Sequence, residues 1–377
     1  MNWYNLAEMF NYKIGIEFEY LLLGNNGQIL DFTNINSTEL ITIIKESRVN
    51  HQNSNLNSGD LGIKNGFWYL EGDERFDEKG NFVDLKIKGI EIRTHICSSV
   101  KSAVFTLLKL ETELSDSINK FGYNLAVAGF NPITNKYEFV PELNSCEKKM
   151  RAKYKEYDYA QISNLSYGPD INLSASSWDE QDSLEIAKKL NYYSPFMVPF
   201  SFSSPIYSGK PWRGLSKRTY ERTWRRPAVK LYTNNKPTGS IEWQTKIPSE
   251  NGRIEYKAFD AILSKDLLAS LCSLVLGVAL SDLPGRSENP SKKMHQTSAI
   301  LGFQNPEIFA GSVLVIEEAK KALTKYNLIY ENQQIKLLED MLTAKKVGSN
   351  FLIDSYRLDE MMLKPGGLTT NKNPILF

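Results

Sequence analysis

Period-two alternation dominates four short runs of the chain. In Gly15-Ile-Glu-Phe-Glu-Tyr20, Glu17 and Glu19 share one face while Ile16, Phe18 and Tyr20 take the other, because side chains alternate along a strand. Gly89-Ile-Glu-Ile-Arg-Thr94 sets Glu91 and Arg93 opposite Ile90 and Ile92. Asp170-Ile-Asn-Leu-Ser-Ala-Ser176 puts Asp170, Asn172, Ser174 and Ser176 on one side, and Ser240-Ile-Glu-Trp-Gln-Thr-Lys246 does the same with Glu242, Gln244 and Lys246. Apolar residues at spacings of three and four predict helices over Ser37–Arg48, Ser98–Phe121, Glu255–Leu280 and Pro306–Leu342, the last broken near Gly311 and Asn327. Strands and helices follow one another without a βαβ rhythm. The pattern predicts an α+β fold, with a mostly antiparallel curved sheet and helices packed on its apolar side.

Composition narrows the function classes. The 377 residues carry 45 basic and 44 acidic side chains, a net charge of +1, which argues against a protein that binds nucleic acid along its phosphates. Cys97, Cys146 and Cys272 are too few and too scattered for a disulfide framework, and His51, His95 and His295 are scattered as well. Cys97, just before an apolar helix, reads as a packed thiol. The stretch Met1 to Gly15 lacks a basic start and an apolar run, and Leu267–Leu280 is too short to span a bilayer. A cytoplasmic protein without a membrane partner is expected, and a homo-oligomer is compatible with this composition.

The strand faces hold the candidate chemistry. Alternation alone is also what an antiparallel sheet with one solvated face produces. These faces, however, are rich in carboxylates, and like charges on neighbouring strands repel. Hard divalent cations among Glu17, Glu19, Glu91, Asp170 and Glu242 relieve that repulsion, and Mg²⁺ so placed can bridge the phosphates of a nucleotide. The chain has no GxxxxGK[ST] and no GxGxxG, so phosphate must be met by side chains. Two basic runs offer them: Lys210 to Arg226, with Arg218 and Arg222, and Gly285 to Lys293, with Lys292. Each run is also compatible with a solvated loop.

Taken in order, these motifs resemble the second type of the glutamate–cysteine ligase family, carboxylate–amine ligases with a glutamine-synthetase-like fold. The likeness runs from about Ile14 to about Phe303. Gly15-Ile-Glu-Phe-Glu with its Gly-Asn-Asn-Gly turn is similar to the family's opening G-x-E-x-E strand. Glu91-Ile-Arg-Thr-His-Ile-Cys97, a helix and Gly122 to Pro132 follow the next motif, with Asn131 where His is usual. Asp170 stands where a metal-binding His is common. Ser203-Ser-Pro-Ile-Tyr-Ser-Gly209 and Ser216-Lys-Arg218 resemble the S-S-P-x-x-x-G and S-x-R signature. Ser240-Ile-Glu-Trp-Gln244 is similar to the strand carrying E-x-R, with Gln244 for Arg, and Glu288 to Gly302 resembles the last, arginine-rich motif.

The resemblance implies one glutamine-synthetase-like ligase domain over 1–377, with a C-terminal helical portion at about 305–345. It implies ATP as co-substrate, two or three Mg²⁺ held by Glu17, Glu19, Glu91, Asp170 and Glu242, and Arg218 as the catalytic cation. Arg93, Asn172, Ser174, Arg222, Gln244, Lys292 and Lys293 are the implied substrate and nucleotide contacts. The implied reaction phosphorylates the γ-carboxylate of glutamate and joins it to an amine such as cysteine. A γ-glutamyl ligase for another amine, and a silent binding protein of the same fold, are the alternatives.

Overall fold

The structure, a computed structural model, describes residues 10–47, 64–153, 160–223, 226–233, 242–244, 250–286, 292–359, 363 and 365–370. In chain order the strands are β1 (Lys13–Gly24), β2 (Ile29–Leu30), β3 (Lys64–Asn65), β4 (Trp68–Phe76), β5 (Phe82–Arg93) and β6 (Tyr123–Ala126). They continue with β7 (Asp170–Ser174), β8 (Ile206–Tyr207), β9 (Lys210–Pro211), β10 (Val229–Tyr232), β11 (Glu242–Gln244) and β12 (Ile254–Tyr256). The helices are α1 (Ser37–Glu46), α2 (Val100–Ile118), α3 (Ser145–Arg151), α4 (Ala160–Ser163), α5 (Glu180–Met197), α6 (Lys265–Leu280), α7 (Lys292–Leu301), α8 (Pro306–Lys325), α9 (Ile329–Ala344) and α10 (Gly348–Asp359).

Ten strands make one sheet in the order β11-β10-β12-β7-β1-β5-β4-β3, with β2 and β6 paired to β1 off that path. Its pairs are antiparallel except β10 with β11. The long central strand β1 serves two roles. Its first half pairs β5 and β7 and alternates in burial; its second half pairs β6 and β2 and is buried continuously through Leu21, Leu22 and Leu23. The expected α+β class with a mostly antiparallel sheet is what forms.

Ile14, Ile16, Phe18 and Tyr20 of β1 point into the core on the helical side, where the Tyr20 hydroxyl donates to Glu111 of α2 at 2.6 Å. Helix α6 runs through this core, buried all round from Leu267 to Leu280. Each Leu or Val so buried contributes roughly 1.5–3 kcal/mol. Gly277 lets α8 approach, since a Cβ there would stand 2.7 Å from Cβ of Ala319.

Several element boundaries depart from the sequence reading. The helix expected over Glu255–Leu280 begins only at Lys265, capped by Ser264. Its first residues, Glu255 and Tyr256, belong to β12, in which Ile254, Glu255 and Tyr256 are all buried. Helix α5 was not anticipated, although Asp179 and Asp182 form a capping box at its start; Pro195 near its end reads as a breaker. The expected break at Asn327 is real, with φ 56°, whereas Gly311 lies inside α8. Most of the Asn-, Ser- and Gly-rich sequence from Asn50 to Gly66 lies outside the described residues. Among the described residues no single helix is long and apolar enough to cross a membrane.

Candidate active site

The register of three strands builds the site. Glu17 of β1 stands opposite Asp170 of β7 on one side and Arg93 of β5 on the other, and Glu19 stands opposite Glu91. Glu17, Glu91 and Asp170 each offer a carboxylate oxygen, all within 4.8 Å of one another. Burial, with Glu71, Glu17 and Glu19 adding to it, pushes the Glu91 carboxyl well above the usual range despite Arg93. Burial, joined by Glu255 and Glu17, raises Asp170 to about 6 against the pull of Lys257. Three desolvated carboxylates converging on one point form an all-oxygen donor set, which suits Mg²⁺. The residues present therefore fit the metal that the resemblance implies.

Cations of the protein's own surround this corner. Arg93 Nε lies 2.6 Å from Glu91 and 3.5 Å from Glu17, and its guanidinium stacks 4.0 Å from the centroid of Tyr69. Arg253 donates to Asn172 Oδ1 at 2.7 Å, lies 3.5 Å from Glu17 and stacks on Tyr232 at 3.7 Å. The Lys257 ammonium bonds both Asp170 and Glu255. Glu255, 3% exposed, also accepts from the Tyr232 hydroxyl at 2.7 Å. Burial works against its charge, but Lys257, Lys230 and Arg253 hold its carboxyl well below the usual range.

A buried acid ties the surrounding loops together. Asp260 Oδ2 accepts from Ser203 N–H at 3.1 Å, Ser204 Oγ at 2.6 Å and Ser216 Oγ at 2.7 Å. Ser204 Oγ in turn accepts from the Arg218 N–H, and Ser216 Oγ from the Thr219 N–H, fixing the turn of helix that carries Arg218. The Arg218 side chain donates to the carbonyls of Ala258 and Lys257, and Arg222 donates to the Lys257 carbonyl as well. Strand β12 and the Ser203–Arg222 segment are thus clamped from both directions.

No family model matches the chain. In sequence it is similar to a glutamate–cysteine ligase of Natronomonas pharaonis, 28% identical over 121 residues, which is 32% of this chain and 32% of that protein. A putative glutamate–cysteine ligase 2 of Roseiflexus sp. is 19% identical over 232 residues, 56% of this chain and 59% of the relative. The chain thus spans about a third and about three fifths of the curated relatives it matches. In fold it is similar to the crystal structure of a glutamate–cysteine ligase from Francisella tularensis in complex with AMP. That likeness has a TM-score of 0.58 at 12% identity and covers 95% of this chain and 87% of the other. The chain is glutamate–cysteine ligase-like. A bifunctional glutathione synthetase from Pasteurella multocida gives a TM-score of 0.58 at 11% identity, covering 93% of this chain and 51% of that one. The fold is that of the glutamine-synthetase-like ligases.

Set on this glutamate–cysteine ligase-like fold, the expected site residues divide. Glu17, Glu91 and Asp170 meet, with Arg93 and Asn172 beside them; Asn172 donates to Glu17 at 3.0 Å. Glu19 shares their face but is bonded to the Lys88 ammonium at 2.5 Å and to the Gly168 N–H at 2.9 Å. Burial works against its charge, yet Lys88, Arg218 and Gly168 hold its pKa below the usual value. Ser174 sits farther along β7, opposite Lys13. Arg218 and Arg222 are buried beside the site and bonded to main-chain carbonyls, and among the described atoms Arg218 Nε has no partner. Lys293 is exposed, while His295 is buried and lies 2.9 Å from Ser194 Oγ. Cys97 is a buried free thiol, as expected, and Asn131 is bonded to Asp31 at 2.6 Å.

The strand expected to carry E-x-R is placed differently. Glu242 and Gln244 lie on β11, separated from β7 by β10 and β12, so the Glu242 position does not neighbour the other carboxylates. The side chains of Glu242, Gln244 and Lys292 lie outside the described residues, as do residues 287–291 of the second basic run. The strand beside β7 is β12, and it brings Glu255 and, just beyond, Lys257: an acid and a base at the same spacing. Sequence reasoning also missed Glu71, Lys88, Arg253 and Asp260. The alternation in Trp68-Tyr-Leu-Glu71 and in Arg253-Ile-Glu-Tyr-Lys257 was the available signal.

Proposed function

We propose that the protein is an ATP-dependent carboxylate–amine ligase that activates the γ-carboxylate of glutamate and joins it to an amine such as cysteine. The observation that carries this reading is the Glu17–Glu91–Asp170 corner, ringed by Arg93, Arg253 and Lys257, on a glutamate–cysteine ligase-like fold. In the proposed reaction the terminal phosphoryl of ATP passes to a glutamate carboxylate oxygen and ADP leaves. The amine nitrogen then attacks the acyl carbon, phosphate departs and the nitrogen gives up a proton.

The chain's own residues have definable parts in this scheme. Glu17, Glu91 and Asp170 would hold Mg²⁺, which when bound neutralises phosphate charge and orients its oxygens. Arg93, kept in plane by Tyr69 and Glu91, supplies a fixed guanidinium for an anionic substrate group. Arg218 adds buried positive charge near Glu19 and Asp170. No nucleophilic side chain is needed, in keeping with Cys97 and His295 being bonded or packed away from the acidic corner.

The acceptor amine is the open part of the reading, and a γ-glutamyl ligase for an amine other than cysteine is the second form of it. The test is hydroxylamine trapping with ATP, Mg²⁺ and glutamate, followed by ADP release with single amines added. Formation of γ-glutamyl hydroxamate is expected, and the amine that best accelerates ADP release identifies the acceptor. Absence of hydroxamate, with no ATP turnover for any donor and amine tried, would overturn the ligase reading in favour of a binding protein.

A further inference from the structure

The ammonium of Lys257 is held between two carboxylates. Its head bonds Asp170 Oδ2 and Glu255 Oε1, its own carbonyl accepts from Arg218 and Arg222, and only 13% of its side chain is exposed. A cation bridging two carboxylate oxygens from adjacent strands does for those oxygens what a divalent ion does. Asp170 is the shared member: it offers an oxygen to the corner with Glu17 and Glu91, and its Oδ2 bonds Lys257. A second metal ion against Asp170 and Glu255 would have to displace the ammonium, because two cations on the same oxygens repel.

We propose that Lys257 is a resident cation standing in place of a metal ion between Asp170 and Glu255. Among the described carboxylates one divalent ion is then held, at the Glu17–Glu91–Asp170 corner, rather than the two or three that the sequence resemblance implies. The inference rests on the ligase reading for its purpose. A tethered ammonium gives that side of the site a fixed single charge that does not depend on the metal concentration. Glu255, bonded to Lys257 and 3.9 Å from Arg253, completes the pair rather than serving as a free ligand.

The test counts ions on the intact chain without nucleotide, by Mn²⁺ titration followed by electron paramagnetic resonance. Wild type is expected to bind one Mn²⁺ per chain, lost in Glu17→Gln. Freeing Asp170 and Glu255 in Lys257→Gln should create a second site, or tighten the weak background site by about tenfold or more. Lys257→Arg, which keeps a cation, should still bind one. The Gln variant should also melt lower than wild type in chelator and recover more than wild type when Mn²⁺ is added, as linkage requires. If Lys257→Gln does not fold, Lys257→Met, which keeps the bulk of the stem, takes its place. Two or more comparably tight Mn²⁺ on wild type, or an unchanged count in a folded neutral variant, would overturn the proposal. So would the absence of Mn²⁺ binding in every variant, which would also remove the metal corner from the ligase reading. The two readings fail separately otherwise: hydroxamate formation with two ions on the chain sinks the resident cation alone, and one ion without hydroxamate sinks the ligase alone.

Discussion

A Cβ at position 129 would stand 1.4 Å from Oδ1 of Asp260. The backbone of Gly129 therefore forms the wall against which the buried carboxylate rests, and that carboxylate holds Ser203, Ser204 and Ser216. No side chain can be accommodated there unless Asp260 moves, and Asp260 cannot move without releasing the turn that carries Arg218.

Gly129→Ala should accordingly lower stability by roughly 2–4 kcal/mol, the range for overpacking combined with a broken buried polar network. It should also weaken metal binding at the corner, through the clamp on Lys257. Gly27→Ala is the control: its φ is +77° but nothing lies within 4 Å of a Cβ there, so only backbone strain of about 1 kcal/mol is expected. Urea unfolding of the two variants measures the difference. Equal, small losses would show that Asp260 has room to shift.

The acidic corner makes a graded set of predictions. Glu17→Gln and Glu91→Gln keep shape and remove a charged donor, so each should lower Mn²⁺ affinity at least about tenfold. Glu46→Gln, on the exposed side of α1, should leave it unchanged. Glu242→Gln should be far milder than Glu17→Gln, since β10 and β12 lie between β11 and β7. Calorimetric titration of Mn²⁺ ranks the four, and a Glu242 variant as damaged as the Glu17 variant would contradict the strand order.

Those variants also mark where the sequence was legible. The alternation that sets Glu17, Glu91 and Asp170 on one face follows from strand geometry, and the burial of Ile16, Ile92 and Ile171 on the other obeys it. Which strands neighbour one another is a property of long-range pairing, which no local pattern carries. Glu242 was grouped with the corner for that reason, and Glu255 was absorbed into a helix because its alternation spans only β12 before the apolar run of α6 begins. Lys88 and Lys257 could not be assigned as partners of Glu19 and Asp170 from their own surroundings, because each pair joins segments far apart in the chain.

Arg218 has both structural and electrostatic duties. Its two terminal nitrogens reach the carbonyls of Ala258 and Lys257 at 3.1 and 3.2 Å, a fork that one ammonium cannot reproduce. Arg218→Lys should therefore lose roughly 1–3 kcal/mol of stability by leaving a buried carbonyl unpaired, and ATP turnover should fall with it. Arg218→Ala should lose more, since the charge near Glu19 and Asp170 goes too. Unfolding and turnover measured on the same preparations test this. A lysine variant of wild-type stability and rate would mean that the carbonyls are served by water.

His295 gives a pH dependence with a definite sign. Its ring is 2% exposed on α7, Nε2 lies 2.9 Å from Ser194 Oγ, and burial pushes its pKa from 6.5 down to about 3. The unfolded chain takes up a proton near pH 6.5 while the folded chain stays neutral. The stability associated with the neutral ring is thus complete above pH 6.5 and declines as pH falls towards 3. The slope is about 1.4 kcal/mol per pH unit across that window. His295→Gln keeps a polar group near Ser194 but cannot take up the proton. The gap between wild type and this variant should therefore narrow, or reverse in favour of the variant, by about 2 kcal/mol between pH 7 and pH 5. Carboxylates shared by both chains cancel in that difference. Helix α7 packs on the Thr219–Thr223 segment that follows Arg218, so protonation of His295 would loosen the clamp from its far side. Denaturant midpoints of the two chains at pH 7, 6 and 5 decide the matter, and parallel curves would show that water or a local opening already solvates the ring.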